Sequence, residues 1–132
     1  MDNCIFCKII KGEIPAFKIY EDESVLAFLD IKPVNPGHVL LLPKKHFATI
    51  EDADTATLEK IGAAFKIIGS RLKERLNIAG YNTYQNNGEA AGQEVPHLHW
   101  HFIPRQVGDG LELWHGKPYG AGEAEKIYNL LK

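Results

Sequence analysis

The sequence predicts an α+β domain: a mostly antiparallel sheet with one long helix packed on it. Three observations carry that expectation. Short apolar runs bounded by proline, glycine and acidic breaks recur along the chain, as in strands joined by turns. A single stretch, about 55–76, has sustained helical periodicity. Strands come first, then the helix, then more strands, which argues against an alternating βαβ order and its parallel sheet.

Taken in order, Ile5–Ile10 reads as a short helical turn ending near Gly12. Lys18–Tyr20 and Val25–Asp30, separated by the acidic Glu21-Asp22-Glu23-Ser24, read as a β-hairpin. Pro33, Pro36 and Gly37 punctuate a loop. His38–Leu42 is a continuous apolar strand, central in the sheet and ended by Pro43. In the long helix Leu58, Ile61, Gly62, Phe65, Ile68, Gly69, Leu72 and Leu76 form one apolar stripe. Asp54 or Thr55 caps its start, and Asn77 to Gly80 carry stop signals. Glycine costs up to about 1 kcal/mol in a helix interior, so Gly62 and Gly69 are expected where the helix approaches a neighbour closely. Tyr81–Gln85 is a further strand, and residues 86–92 form a glycine-bearing loop. Pro96 opens a last strand, His97–Ile103, closed by Pro104. The tail beyond Arg105 holds Trp114 and His115, the latter expected at the surface, and ends in a helical pattern from about Glu123 to Leu131.

Composition bounds the function. The chain has 132 residues, 45% hydrophobic and 24% charged, which fits a single globular domain over 1–132 with its own core. A formal net charge of −2 supplies no basic field for a nucleic-acid backbone or an acidic membrane. No apolar run approaches the roughly 18 residues that span a bilayer. The first residues lack the basic and apolar regions of a secretory signal. A cytoplasmic protein without nucleic-acid or membrane partners is expected.

The chemistry lies in the histidines and cysteines. His97, His99 and His101 alternate with Leu98, Trp100 and Phe102. In a strand, residues two apart face the same side about 6.6 Å apart, so three imidazoles would line one face and the apolar three the core. The plain alternative is three solvated surface histidines. A catalytic zinc needs three ligands converging on one ion, and a third histidine about 13 Å along the strand is too far to join the first two. Nucleotidyl transfer needs one neutral imidazole as nucleophile, with donors nearby for the developing charge. The glycine-bearing loop just before the row suits that use, and the spacing favours it over a triple-histidine metal site. Cys4 and Cys7, the only cysteines, form a C-x-x-C. Such a pair is a metal half-site, a redox dithiol or two buried small hydrophobes; too few residues precede it for the strand a thioredoxin-like motif requires.

His97-Leu98-His99-Trp100-His101-Phe102-Ile103 matches the His-φ-His-φ-His-φ-φ signature of the histidine-triad (HIT) family. Four other segments resemble the family in order: Ile5 to Pro15, Ala27 to Pro33, Gly37 to His46, and Asn86-Asn87-Gly88 with Gly92-Gln93. The likeness covers about residues 3–105, leaving 106–132 as a variable tail. It is greatest to the Hint-type, nucleoside-phosphoramidase branch, which implies a homodimer with one purine nucleotide site per subunit.

The resemblance implies roles. His99 would attack the α-phosphorus of a nucleotide derivative to give a covalent nucleotidyl-histidine that water resolves. His101, Asn86 and the Gly92-Gln93 backbone would bind the phosphate, and His38 would lend a supporting hydrogen bond. Asp30 would accept from the ribose hydroxyls. Ile5, Phe6, Ile9, Phe28 and Ile31 would form the base slot, the alternative for each being core packing. In bacterial members with the same C-x-x-C, the equivalents of Cys4, Cys7, His46 and His97 hold zinc. That Cys2His2 set fits a closed structural site that catalysis does not require. Glu94 stands where many members carry a serine or threonine that donates to the leaving group, which an ionised carboxylate cannot do. Two rivals stay open at this stage: a nucleotide-binding regulatory or scaffold protein, and a metal-dependent hydrolase using the histidine row as ligands.

Overall fold

In the computed structural model, which describes residues 3–132, helix α1 (Ile5–Ile10) is capped by Cys4, whose Sγ accepts from the Cys7 N–H at 3.4 Å. Strands β1 (Lys18–Glu21) and β2 (Val25–Leu29) form the hairpin. Its turn is shaped by Asp22, whose Oδ1 accepts from the backbone N–H of Ser24 and Val25 at 2.8 and 2.9 Å, as aspartate does at tight turns. Strand β3 (Val39–Pro43) leads through a loop to helix α2 (Thr55–Arg75). Asp54 caps that helix, accepting from the Thr57 N–H at 2.7 Å. Strands β4 (Gly80–Gln85) and β5 (Trp100–Arg105) follow, and helix α3 (Glu123–Leu131) ends the chain. The sheet order is β1-β2-β3-β5-β4 with every neighbouring pair antiparallel. The fold is therefore α+β, as expected. No helix among the described residues is long and apolar enough to cross a membrane.

Alternation along the strands divides the core into two layers. Val25, Ala27, Val39, Leu41 and Phe102 face α2 and pack on Ile61, Ala64, Ile68 and Leu72. Leu26, Phe28, Leu40 and Leu42 face the other way and are covered by Phe6 and Ile9 of α1. Helix α1 is too short to cover that second face completely. His101 pairs with Leu40 in register, so the histidines emerge on the α1 face, beside the part left open.

Three expectations change. The last strand begins at Trp100, not His97. The His97 N–H turns back to the Val95 carbonyl at 2.8 Å, and the Leu98 N–H donates to the Phe47 carbonyl at 2.7 Å. His97 to His99 thus run beside the loop after β3, outside the ladder. Pro104 lies inside β5 rather than closing it, whereas Pro43 is the last residue of β3, as expected. The N–H and C=O of a strand residue point to the same side, and each proline carbonyl is taken by a side chain: Pro43 by His97 Nε2 and Pro104 by Asn35 Nδ2. The missing N–H of each faces a side where the ladder has stopped. Lastly, only one stripe glycine meets a neighbour. A Cβ on Gly69 would overlap the Tyr81 hydroxyl, whereas Gly62 is exposed with open space around it.

Candidate active site

A cleft of about 350 Å³ lies on the α1 face between α1, the loop before β3 and the loop before β5. His99 lines it and is only 6% exposed. Its Nδ1 lies 2.7 Å from the His97 carbonyl oxygen. Only an N–H can donate to that carbonyl, so the proton sits on Nδ1 and the Nε2 lone pair is free. The Phe6 ring meets the His99 ring edge-on at 5.0 Å. Burial holds His99 below its ordinary pKa, partly opposed by the His97 carbonyl and the charges of Asp30 and Glu94. The ring is therefore neutral near pH 7, as a nucleophile must be.

A second chain of bonds fixes His101. The Val34 N–H donates to His38 Nδ1 at 3.1 Å, which puts the proton of neutral His38 on Nε2. That proton is donated to His101 Nδ1 at 2.9 Å, leaving His101 Nε2 as an N–H donor. His38 Nε2 also lies 3.7 Å from Asp30 Oδ2, but burial keeps His38 below its ordinary pKa and its Nδ1 is an acceptor, so it is not an imidazolium. Tyr84, opposite His101 in the β4–β5 ladder, stacks on it at 4.4 Å and 10°. Asn35 anchors the loop that carries Val34, donating to the Pro104 carbonyl and to Asp109, which Arg105 grips through two nitrogens. The cleft thus holds one lone pair and one fixed donor side by side, His99 and His101 rings being 5.0 Å apart.

The loop before β5 is closed on itself. Gly92 sits at φ 93°, ψ 16°, the left-handed region open to glycine. The Gly92 and Gln93 N–H groups donate to the Glu89 and Gly88 carbonyls, so neither is free for a ligand in this conformation. The Gln93 amide braces the loop, accepting from Gly88 N–H and donating to the Ala48 and Val95 carbonyls. Asn86 is closer to the expected donor role, its Nδ2 making only a long 3.4 Å bond to the Gly92 carbonyl.

Of the expected residues, Ile5, Phe6, Asp30, His38, Asn86, Gly92, Glu94, His99 and His101 line the cleft. Asp30 keeps Oδ1 on the Lys32 N–H at 2.8 Å, with Oδ2 toward His38. Ile9 and Phe28 instead belong to the core layer beneath, Ile31 is 82% exposed, and none of these three nor Gln93 lines the cleft. Lys32, Val34, Leu40, Tyr84 and Val95 line it without having been singled out. Leu40 and Tyr84 could have been found by placing β3, β4 and β5 in register around His101.

Cys4, Cys7, His46 and His97 come together outside the lining of the cleft, their ligand atoms all within 4.8 Å of one another. His97 Nε2 donates to the Pro43 carbonyl at 2.8 Å, which directs the bare Nδ1 at the thiols. Burial holds this ring's pKa at about 4, keeping it neutral. Cys4 Sγ and Cys7 Sγ lie 3.4 and 3.6 Å from His97 Nδ1, Cys7 Sγ lies 3.4 Å from His46 Nδ1, and the two Nδ1 atoms are 3.1 Å apart. A tetrahedral zinc with ordinary bond lengths would set S···N near ~3.55 Å and N···N near ~3.35 Å. The four residues therefore fit a metal ion. Asp30, His38 and His101 are also mutually close, but His38 Nε2 and His101 Nδ1 are engaged with each other in the hydrogen bond above.

The buried imidazoles have a consequence for stability. Burial, with the neighbouring His99 and His38, pushes His101 down to about 4; Asp30 opposes this. Histidine in an unfolded chain titrates near ~6.5. Between those values the unfolded state binds a proton that the folded state refuses, so stability is full above pH ~6.5 and falls as pH drops toward 4. Carboxylates held low, such as Asp54 at about 2, enter only below that window. The urea midpoint is expected to decrease from pH 7 to 4.5, less steeply in His101→Phe than in the parent. Equal slopes would remove His101 from the account.

Comparison with known proteins gives concordant results. A sequence profile of the HIT domain matches residues 11–108. The chain is 41% identical to the adenosine 5'-monophosphoramidase of Candida albicans over 132 residues, 97% of this chain and 86% of that one. Its structure resembles that of a HIT family protein from Bacillus subtilis, with TM-score 0.90, 40% identity, and 98% and 94% of the two chains covered. It also resembles a zinc-bound histidine triad family protein from Mycobacterium smegmatis, with TM-score 0.79, 38% identity, and 89% and 85% covered.

Proposed function

The chain belongs to the HIT domain family, and from that premise we propose that it is a purine nucleotide hydrolase or nucleotidyl transferase working through a covalent nucleotidyl-histidine on His99. The observation that carries this reading is the His99 Nδ1–H bond to the His97 carbonyl, which leaves Nε2 in the cleft as a fixed lone pair. His99 Nε2 attacks the α-phosphorus of a phosphoramidate, acyl-adenylate or dinucleotide polyphosphate. The bond to the leaving group breaks, and that group departs with the electron pair and takes up a proton. Water then adds to phosphorus and the P–N bond to His99 breaks, so that one water is consumed overall. His101 Nε2–H donates to a non-bridging oxygen, where its fixed direction counts most as charge develops. Asn86 assists, and Asp30 accepts from the ribose. Ile5 and Phe6 supply apolar surface for a purine. The similarity to a named adenosine 5'-monophosphoramidase supports the substrate class.

Cys4, Cys7, His46 and His97 would hold one zinc per chain, a structural ion that ties α1 to the segment before β5. Its four ligands leave no position for substrate. The protein works as a homodimer with one nucleotide site per subunit.

The test is to trap the intermediate. Rapid quenching of a single turnover with adenosine 5'-phosphoramidate should leave adenylate on His99, mapped by peptide mass spectrometry. Product formation without an adduct, or an adduct on another residue, would overturn the mechanism.

A further inference from the structure

The loop 31–37 carries the Val34 N–H that sets the tautomer of His38 and, through it, that of His101. Two further bonds of this loop stay local: the Lys32 N–H goes to Asp30, and the Asn35 carbonyl accepts from the His38 N–H at 3.1 Å. Among the described residues, the hydrogen bonds that lead from the loop to β5 and the turn after it come from the Asn35 amide alone. That amide donates to the Pro104 carbonyl at 2.9 Å and to Asp109 Oδ2 at 3.0 Å. Both partners are acceptors, so the amide can face them only with its nitrogen. Asp109 is a hub. Its carboxylate also takes Arg105 Nε and Nη2 at 2.7 and 2.9 Å, and the N–H groups of Gln106 and Leu111 at 3.2 and 3.1 Å. The Arg105 and Asp109 side chains are only 19% and 11% exposed.

We propose that Asn35 and Asp109 are positioning residues for the phosphate donor: they hold the loop where its Val34 N–H keeps the proton of His101 on Nε2. Neither lines the cleft, so both act through the pair of rings. A neutral imidazole carries one proton and can place it on either nitrogen. With the Val34 N–H on Nδ1, His38 must donate from Nε2, and His101 must accept at Nδ1 and present Nε2–H. Once the loop slips and that N–H leaves, His38 can carry its proton on Nδ1. Its Nε2 then accepts, His101 donates from Nδ1, and His101 Nε2 is left as a bare lone pair. The 2.9 Å bond between the rings survives this exchange, so the bond itself does not oppose it. A lone pair aimed at a phosphate oxygen repels it, and the donor is lost. The inference rests on the nucleotidyl-transfer reading for the use made of His101; the tautomer does not depend on that reading.

Long-range 1H–15N spectra of protein labelled at its histidines, taken at pH 7, distinguish protonated from bare ring nitrogens and need no substrate. The parent should show the proton on Nε2 in both His38 and His101. In Asn35→Ala, and in Asp109→Asn, which keeps the shape of the side chain, Nδ1-protonated forms should appear in both rings together. Turnover of adenosine 5'-phosphoramidate should fall about tenfold in each, part of the roughly 10²-fold that losing an oxyanion donor costs. Adding Asn35→Ala to His101→Phe should cost nothing further, since the two changes act on one donor. A lowered melting temperature with both tautomers kept, or a loss that adds in full to that of His101→Phe, would overturn the proposal. Failure of the underlying reading looks different: the rings would exchange tautomers as stated, yet turnover would not move and no adenylate would be left on His99.

Discussion

His99→Ala is expected to abolish turnover, by at least about 10³-fold, the scale lost when a nucleophile is removed. Nucleotide affinity should stay within about tenfold. The two readouts separate because the groups assigned to binding are held by other bonds. His101 is fixed by Val34, His38 and Tyr84, Asp30 by the Lys32 N–H, and the loop at Gly92 by its own hydrogen bonds. None of these passes through the His99 ring. Residual activity above a few per cent, under conditions that exclude contaminating enzyme, would show that His99 is not the nucleophile. Calorimetry with AMP on the same variant checks the affinity.

The second large effect belongs to the thiols. The Cys4→Ser, Cys7→Ser double variant should lose the roughly one zinc per chain measured in the parent protein, and its melting temperature should fall by on the order of 10 °C. Activity assayed well below that midpoint should largely survive, because none of the four metal ligands lines the cleft. His99→Ala should show the reverse, with metal kept and turnover gone. Zinc retained by the double variant would disprove the ligand set. Turnover that stops when zinc is stripped from still-folded protein would move the metal into the chemistry.

Local pattern made most of the architecture legible. Asp22 and Asp54 mark their turn and cap because a short carboxylate satisfies nearby backbone N–H groups without tertiary help. The stripe Ile61, Ile68, Leu72 marks the buried face of α2. Errors arose where the neighbour, not the segment, decides. His97-Leu98-His99 alternates like a strand, yet the partner of Leu98 is Phe47 in a loop. Gly62 and Gly69 lie on the same stripe, and only the arrival of Tyr81 gives one of them a purpose. Phe28 and Ile9 are apolar and close to the site in sequence, but pack in the layer beneath it. Tyr84 lies well outside the histidine row, and its place on His101 depends on the β4–β5 register. The triad pattern is what suggests the proposed chemistry; pairing between strands decides which side chains surround it.

Position 97 serves two masters. Its ring faces the thiols and its carbonyl orients His99. The ring is also held by Pro43 without any metal. The arrangement sets an order in which a lineage can simplify the protein. Cys4, Cys7 and His46 can be shed one after another, since none touches the carbonyl on which the His99 ring leans. His97 is constrained twice over and should outlast them, so descendants stripped of metal would still carry three histidines in the row.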